Sequence, residues 1–175
     1  NEFSDFARMP KPILKDNNLI LILEENIKLL KELDNNININ LKNISKELYF
    51  ICDSEQLGRV FFNLIKNSIE SIHEKLQHNP NFIGKIDLEI FSKSDYIEFS
   101  IKDNGLGFHG YKDKIKDILN PYFTTKKTGT GLGLSIVNKI INDHNGTIEF
   151  LPLDNGAHIK IKFLKNDNWN INYWR

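Results

Sequence analysis

Apolar residues Ile20, Leu23, Ile27 and Leu30 recur three and four positions apart. That spacing lines one face of a helix and predicts one from roughly Leu19 to Leu33. The period then changes. Ile37, Ile39 and Leu41 alternate with polar residues as a half-buried strand does, and the apolar run Leu48 to Cys52 is the expected partner of that strand. Asp53 and Ser54 are good N-caps for a second helix over roughly Glu55 to Gln77, with Leu57, Phe61, Leu64, Ile65, Ile69 and Ile72 facing a core. Ile86, Leu88 and Ile90, then Ile97, Phe99 and Ile101, predict an antiparallel hairpin that ends at Asp103. Leu134, Val137, Ile140 and Ile141 return to helical spacing, and Asn145-Gly146 closes that helix. Ile148 and Phe150, then Ile159, Ile161 and Phe163, form a last hairpin around Asp154-Asn155-Gly156.

Helices and a mostly antiparallel sheet are segregated here rather than alternating as strand-helix-strand units. The class is therefore α+β, with helices packed on one sheet face. Two stretches fall outside the pattern. Asn1 to Arg8 reads as the last turns of a helix, with Phe3, Phe6 and Ala7 on one side, and Pro10-Lys11-Pro12 stops it as a linker. Phe108 to Thr130 is long, lysine-bearing and weakly patterned, with a short helix expected only near Lys114 to Leu119. A connection of that length in a compact domain is usually functional, often a lid.

Composition narrows the classes. The chain has 175 residues and no net charge. Its length favours one domain with a substantial core, and its charge gives no global field toward nucleic acid or an anionic membrane. The single cysteine, Cys52, excludes an intramolecular disulfide, fits a reducing cytosol, and lies in an apolar run where an inert core role is expected. No apolar run is long enough to span a bilayer, and no signal peptide is expected. The first residue is not Met, so a fragment of a longer protein is expected.

Chemistry concentrates in two glycine clusters, Asp103-Asn104-Gly105-Leu106-Gly107 and Gly129-Thr130-Gly131-Leu132-Gly133-Leu134. Such clusters bring backbone close to a ligand and leave N–H groups free for phosphates, and the second runs straight into a helix whose dipole favours an anion. Neither fits a P-loop, which needs Lys and Ser/Thr after its last glycine, nor the dinucleotide or protein-kinase loop, whose third glycine would fall at Leu134. On the second helix, Gln56, Arg59, Asn63, Lys66, Asn67 and Glu70 share one polar wedge. Asn63 and Asn67 lie one turn apart, so their amide oxygens can converge on a magnesium ion that shares phosphate oxygens. Asp103 can accept a hydrogen bond from an exocyclic amine such as adenine's, where guanine would present a carbonyl. Taken singly, an Asn-x-x-x-Asn pair is a solvated face and Asp-Asn-Gly a turn; the ordered set reads as a nucleotide site.

Asn63-x-x-x-Asn67, Asp103-x-Gly105-x-Gly107, Pro121-Tyr122-Phe123-Thr124-Thr125-Lys126 and Gly129 to Leu134 resemble the N, G1, F and G2 boxes of bacterial sensor histidine kinases, in the same order. The resemblance covers roughly Asn17 to Leu164. It implies the Bergerat-type two-layer sandwich, a helix layer on a mixed sheet. The opening Glu2 to Pro12 further resembles the NtrY-like branch of nitrogen-regulation sensor kinases, where it follows the second helix of the dimerisation and phosphotransfer domain. The implied organisation is the end of that helix and a linker over 1–15, an ATP-binding catalytic domain over 16–165 and a tail over 166–175.

Carried over by position, the resemblance implies that Asn67 coordinates magnesium and that Asn63 helps bind metal and phosphates. Asp103 would hold the adenine amine, with Gly105 and Gly107 shaping that wall. Phe123, Thr124, Thr125 and Lys126 would belong to a mobile lid, Lys126 approaching the phosphates and sharing the catalytic work with the asparagines. Gly129, Thr130, Gly131, Leu132 and Gly133 would wrap the triphosphate. One departure is Ala157, where relatives often carry Thr or Ser, which puts a water-mediated adenine contact in doubt. The implied cofactors are ATP and Mg2+, and the implied partners are the dimerisation and phosphotransfer domain and a response regulator. The fragment is expected to be monomeric, the whole protein a cytoplasm-facing homodimer, and neither nucleic acid nor direct membrane contact is expected.

The acceptor histidine is expected to lie elsewhere. His73-Glu74-Lys75 faintly resembles the acceptor motif but lacks its asparagine and proline, and reads as a solvated helical histidine. His78 precedes Asn79-Pro80, His109 lies in the lid stretch, His158 in the final hairpin, and His144 near a helix C-terminus where the dipole favours a cation. A rival reading is an ATPase of the same fold, but those proteins place a glutamate base where this chain has Asn63, and an amide takes no proton from water near neutral pH. A non-catalytic interaction module is a third reading, disfavoured because all four boxes keep their chemistry. The lid expectation is directly testable: Phe108 to Gly129 should exchange amide hydrogens fastest in the free protein and gain protection with ATP, and full protection of that stretch without nucleotide would remove the assignment.

Overall fold

Residues 9–43, 45–107, 133–151 and 153–165 are described by the structure, a computed structural model. The chain enters through a short polar strand, β1 (Lys15–Asn18), and turns at once into α1 (Leu19–Leu33). Asn18 makes the turn. Its Oδ1 accepts from the N–H of Ile20 and from the N–H of Leu48, each at 3.1 Å, so one cap starts the helix and pins a neighbouring strand. Strands β2 (Asn38–Asn43) and β3 (Tyr49–Cys52) follow. Then comes the longest element, α2 (Ser54–His78), whose N-cap Asp53 accepts from the Gln56 N–H at 3.0 Å. Its 25 residues extend for about 38 Å at the usual helical rise. The hairpin β4 (Lys85–Ser92) and β5 (Tyr96–Asp103), helix α3 (Gly133–Asp143) and the hairpin β6 (Gly146–Leu151) and β7 (Ala157–Leu164) complete the order.

Five strands form the main sheet in the order β2-β4-β5-β7-β6. β2 runs parallel to β4, and the other three pairings are antiparallel. The three helices of the described residues cover one face. Phe61 of α2 meets Phe99 of β5 with ring centroids 5.0 Å apart and planes tilted by 52°, a favourable geometry for two fully buried rings. Leu57, Phe61, Leu64, Ile65, Ile69 and Ile72 are all buried, as their spacing predicts. The opposite sheet face is polar. There Glu98 is held between Lys160 and Lys162, at 3.6 and 3.8 Å. The architecture is thus the α+β, two-layer arrangement expected, with a mixed and mostly antiparallel sheet.

One expectation about strands needs correction. Leu48 to Cys52 is not the partner of the Ile37–Leu41 strand: β3 pairs with β1, from Lys15↔Cys52 to Asn18↔Tyr49, in a separate two-stranded sheet. β1 reads Lys-Asp-Asn-Asn and has no apolar alternation to betray it; its order comes from backbone pairing and the Asn18 cap. β2, freed from β3, takes the sheet edge beside β4.

The entry of α2 is a junction of three segments. Asp53 Oδ2 accepts from the Ile13 N–H at 2.8 Å, and Gln56 Nε2 donates to the Pro10 carbonyl at 3.1 Å, so residues 10–13 are stitched to the start of the helix. Gln56, at the N-terminal end of the polar wedge of α2, is accordingly buried, with its Oε1 lacking a hydrogen-bond partner among the described residues. The Asp53 N–H donates to His144 Nε2 at 3.1 Å, which leaves Nδ1 as the donor to the Ile140 carbonyl at 2.7 Å. His144 is therefore a neutral, buried hydrogen-bonding group rather than a cation at a helix end, and burial lowers its pKa. His73 stays half-exposed but pairs with Asp34. Cys52 is buried with its thiol pushed up to about 12, an inert core group. The expected helix end at Asn1–Arg8, the stretch Phe108 to Thr130 with its short helix, His109 and the 166–175 tail lie outside the described residues.

The depressed His144 contributes stability that is present above its ordinary value of 6.5 and lost as pH falls through the lower folded value. His144→Ala should cost about 1–3 kcal/mol at neutral pH, because the buried Asp53 N–H loses its acceptor. The variant should also lose less further stability than the parent on acidification, which urea denaturation at about pH 7.5 and about pH 5.5 measures.

Candidate functional site

One polar stripe of α2 organises the loop that follows β5. Ser68, Ser71 and Lys75 stand at helical spacing i, i+3 and i+7, and each takes a different part of residues 103–107. Ser68 Oγ donates to Asp103 Oδ2 at 2.8 Å. Ser71 Oγ accepts from the Leu106 N–H at 3.0 Å and from the Gly107 N–H at 3.4 Å. Lys75 Nζ donates to the Asn104 carbonyl at 2.8 Å while lying 4.3 Å from the centre of the Phe82 ring. Asn104 itself closes the loop onto the start of β4, its Oδ1 accepting from the Lys85 N–H at 2.8 Å and its Nδ2 donating to the Ile83 carbonyl at 3.0 Å.

Asp103 is the buried polar end of β5, only 5% exposed. Its Oδ1 accepts from the Gly105 N–H at 2.9 Å, and the Ala157 N–H of the adjoining strand also reaches the carboxylate. Desolvation is the dominant influence and raises its pKa; the hydrogen bonds from Ser68, Gly105 and Ala157, and the charge of Lys75, oppose it. A carboxylate offers about four acceptor positions, and the three donors among the described residues leave room for one more N–H.

The glycines of this loop are there for space and for backbone shape. A Cβ on Gly105 would lie 2.8 Å from the backbone carbon of Ser71 and 2.9 Å from the Ile72 nitrogen, so only glycine lets the loop lie flat on α2. Gly107 has φ +70° and faces the Gly156 carbonyl, where a side chain would collide. The loop is thereby wedged between α2 and the β6–β7 turn. A Cβ on Gly133 would meet nothing within 4 Å, so crowding by the described residues does not demand glycine there.

Asn63 and Asn67 lie on the same helix, half-buried, one turn apart and N-terminal to the Ser68–Lys75 stripe. Asn63 lines a groove of about 360 Å3 with Asn26 of α1, Glu55, Gly58, Arg59 and Phe62 of α2, and Ile136 of α3. The first turn of α3 therefore faces Asn63, and Asp103 meets the residue following Asn67. Asn63, Asn67, Asp103, Gly105 and Gly107 are thus gathered along one side of α2. Phe123, Thr124, Thr125, Lys126, Gly129, Thr130, Gly131 and Leu132 lie outside the described residues. The reading of sequence singled out neither Ser68 nor Ser71, and passed over Lys75 as part of a faint histidine motif. Their signal was present only as a second polar stripe offset from the asparagines, interrupted by the core positions Ile69 and Ile72.

Known proteins resemble this chain in sequence and in fold. Residues 52–167 match the family described as histidine kinase-, DNA gyrase B- and HSP90-like ATPase. An NtrY-like sensor histidine kinase of Rickettsia prowazekii (strain Madrid E) is 34% identical over 164 residues, covering 93% of this chain and 26% of the relative. The nitrogen regulation protein NtrY of Azorhizobium caulinodans is 30% identical, covering 92% of this chain and 21% of that protein. The chain spans about a quarter of the length of these relatives. Among solved structures, the nucleotide-free catalytic domain of the histidine kinase ThkA superposes with a TM-score of 0.75 at 28% identity, covering 87% of this chain and 95% of that one. With its fold, its ordered motifs and its relatives in agreement, this chain belongs to the histidine kinase-, DNA gyrase B- and HSP90-like ATPase family, and its relatives there include sensor histidine kinases of the NtrY type.

Proposed function

We propose that this chain is the catalytic domain of a two-component sensor histidine kinase, which binds Mg-ATP and donates the γ-phosphate to a histidine on a separate dimerisation and phosphotransfer domain. The observation that carries this reading is Asp103. A carboxylate kept under a desolvation penalty, with an acceptor position to spare, makes sense as a receptor for an amine such as adenine's. The adjoining asparagines fit the rest of the ligand. Neutral amide oxygens one turn apart suit magnesium when phosphate oxygens supply further ligands, and the groove beside Asn63 adjoins the first turn of α3, where a helix N-terminus favours anionic phosphates.

In this reading Asp103 selects the base, and Gly105 and Gly107 let the loop backbone form a flat wall beside it. Asn67 and Asn63 hold the metal, which neutralises charge on the transferring phosphoryl group. Lys126 meets the phosphates, and Phe123, Thr124, Thr125, Gly129, Thr130, Gly131, Leu132 and Gly133 enclose them. Such a site works by positioning and charge neutralisation, as phosphoryl transfer requires. Asn63 supplies no general base, which favours transfer over hydrolysis. The division into 1–15, 16–165 and 166–175, a cytoplasmic location and a homodimeric whole protein belong to the same proposal. So does a response regulator as downstream partner; the related ThkA has been solved in complex with its response regulator TrrA.

Asp103→Asn should weaken ATP binding by roughly ten- to a hundredfold, the worth of about 1.5–3 kcal/mol for a hydrogen bond to a charged acceptor. It should not lower stability at neutral pH. A raised carboxyl contributes stability that is present below its ordinary value of 3.8 and lost as pH rises through the folded value, so the charged parent carries a penalty that the amide lacks. Calorimetry and thermal melting on the same samples check both parts.

Incubated with labelled ATP, the chain alone should acquire little acid-labile phosphate. Mixed with a domain carrying the acceptor histidine, it should label that domain in trans, more slowly than a tethered pair would because effective concentration is lost. Tight ATP binding with no label on either polypeptide would favour a non-kinase role, and stoichiometric label on His73 would overturn its dismissal.

A further inference from the structure

We propose that Ser68 is a specificity-positioning residue, whose hydroxyl keeps the Asp103 carboxylate an acceptor and so makes the site choose a 6-amino purine over a 6-oxo purine. The inference rests on the reading of Asp103 as the group that receives the base.

Ser68 is 6% exposed, and its Oγ lies 2.8 Å from Asp103 Oδ2. At this position of α2 it stands one residue before core-facing Ile69, where an alanine would satisfy the helix better. The hydroxyl is therefore explained by what it donates to. Of the three protein donors on the carboxylate, two are backbone N–H groups, from Gly105 and Ala157, which any sequence would supply. Ser68 is the side-chain member of the set, and the strongest of the influences that offset burial.

The consequence is chemical. Ionised, Asp103 only accepts hydrogen bonds, and it pairs with the amine of adenine and repels a carbonyl at the same ring position. Protonated, it becomes a donor, and the preference inverts toward a carbonyl. Burial pushes Asp103 toward that second state. Among the described residues, the groups that face it are few. From α2 come Ser68 and the cation Lys75; from β4 the opposed residue is apolar Ile86; from β7 it is Ala157. Lys102 and His158, its neighbours along β5 and β7, alternate to the other sheet face, and the Lys85 side chain is exposed. Lys75 is engaged with the Asn104 carbonyl, so removal of the Ser68 hydroxyl has no ready substitute.

The test measures binding of adenosine and inosine triphosphates to the parent, Ser68→Ala and Ser68→Thr by calorimetry, at about pH 8 and about pH 6. The ratio of the two affinities cancels protonation of the shared triphosphate. The parent should prefer the adenine nucleotide at both values. Ser68→Ala should lose more of that preference on acidification than the parent does, because its carboxyl has lost the hydrogen bond that favours the charged form, and Ser68→Thr should restore it. Carbon-13 titration of the Asp103 carboxyl in the nucleotide-free parent and Ser68→Ala reads the same effect without a ligand. An unchanged ratio and titration in Ser68→Ala, with the parent still discriminating, overturns the proposal alone. Equal binding of both nucleotides by the parent removes the reading of Asp103, and the proposal with it.

Discussion

A buried carboxylate must be surrounded by donors, and the Asp103 side chain draws its donors from three separate parts of the chain. Ser68 comes from the middle of α2, Gly105 from the loop after β5 and Ala157 from the start of the last strand. Each donor is in range only if the helix, the loop and the strand have all taken their final places. The loop in turn stays there because Ser71 and Lys75 bind its backbone and Asn104 ties it to β4. A polar group that costs free energy to bury thus sets the tolerance of the whole corner, since a displaced donor would leave a charge without compensation.

Helix α2 carries two loads at once. Its apolar flank anchors the sheet through contacts such as Phe61 on Phe99, and its polar flank presents Asn63 and Asn67 and then the Ser68–Lys75 stripe. Packing therefore fixes the rotation of the helix about its axis, and that rotation aims the asparagines. Its N-terminal end is constrained as tightly. Asp53 caps the helix, receives the N–H of Ile13 and donates its own to His144, so the incoming segment, α2 and the end of α3 meet at one residue. Two of the buried titratable groups respond to pH with opposite sign, His144 favouring the fold at higher pH and Asp103 at lower. Only Asp103 belongs to the candidate site.

Much of the fold was legible before any coordinates. Alternation located β4, β5, β6 and β7 and their antiparallel pairing, since each buries a single face; helical spacing located α1, α2 and α3; and the Asp53 cap and the Asn145 turn, with φ 53°, marked where helices start and stop. The order of the motifs named the family correctly. Misreadings arose where local pattern is silent. Polar β1 gave no signal, so β3 was assigned to the wrong neighbour, and nothing local showed that Gln56 is buried against the Pro10 carbonyl. His144 looked like a helix-end cation until the Asp53 N–H required it to be a neutral acceptor.

What sequence alone determined is therefore whatever depends on neighbours a few residues away: the period of each element, its caps, and the spacing of the glycines and asparagines of the candidate site. Tertiary structure decided whatever depends on partners far along the chain. The pairing of β1 with β3, the parallel docking of β2 on β4, and the clamp of Ser68, Ser71 and Lys75 on the Asp103 loop are all of that kind. The physical reason is the same in each case. A hydrogen bond between distant segments leaves no periodic trace in either one, because its partner is chosen by packing that brings the two together rather than by the residues beside it.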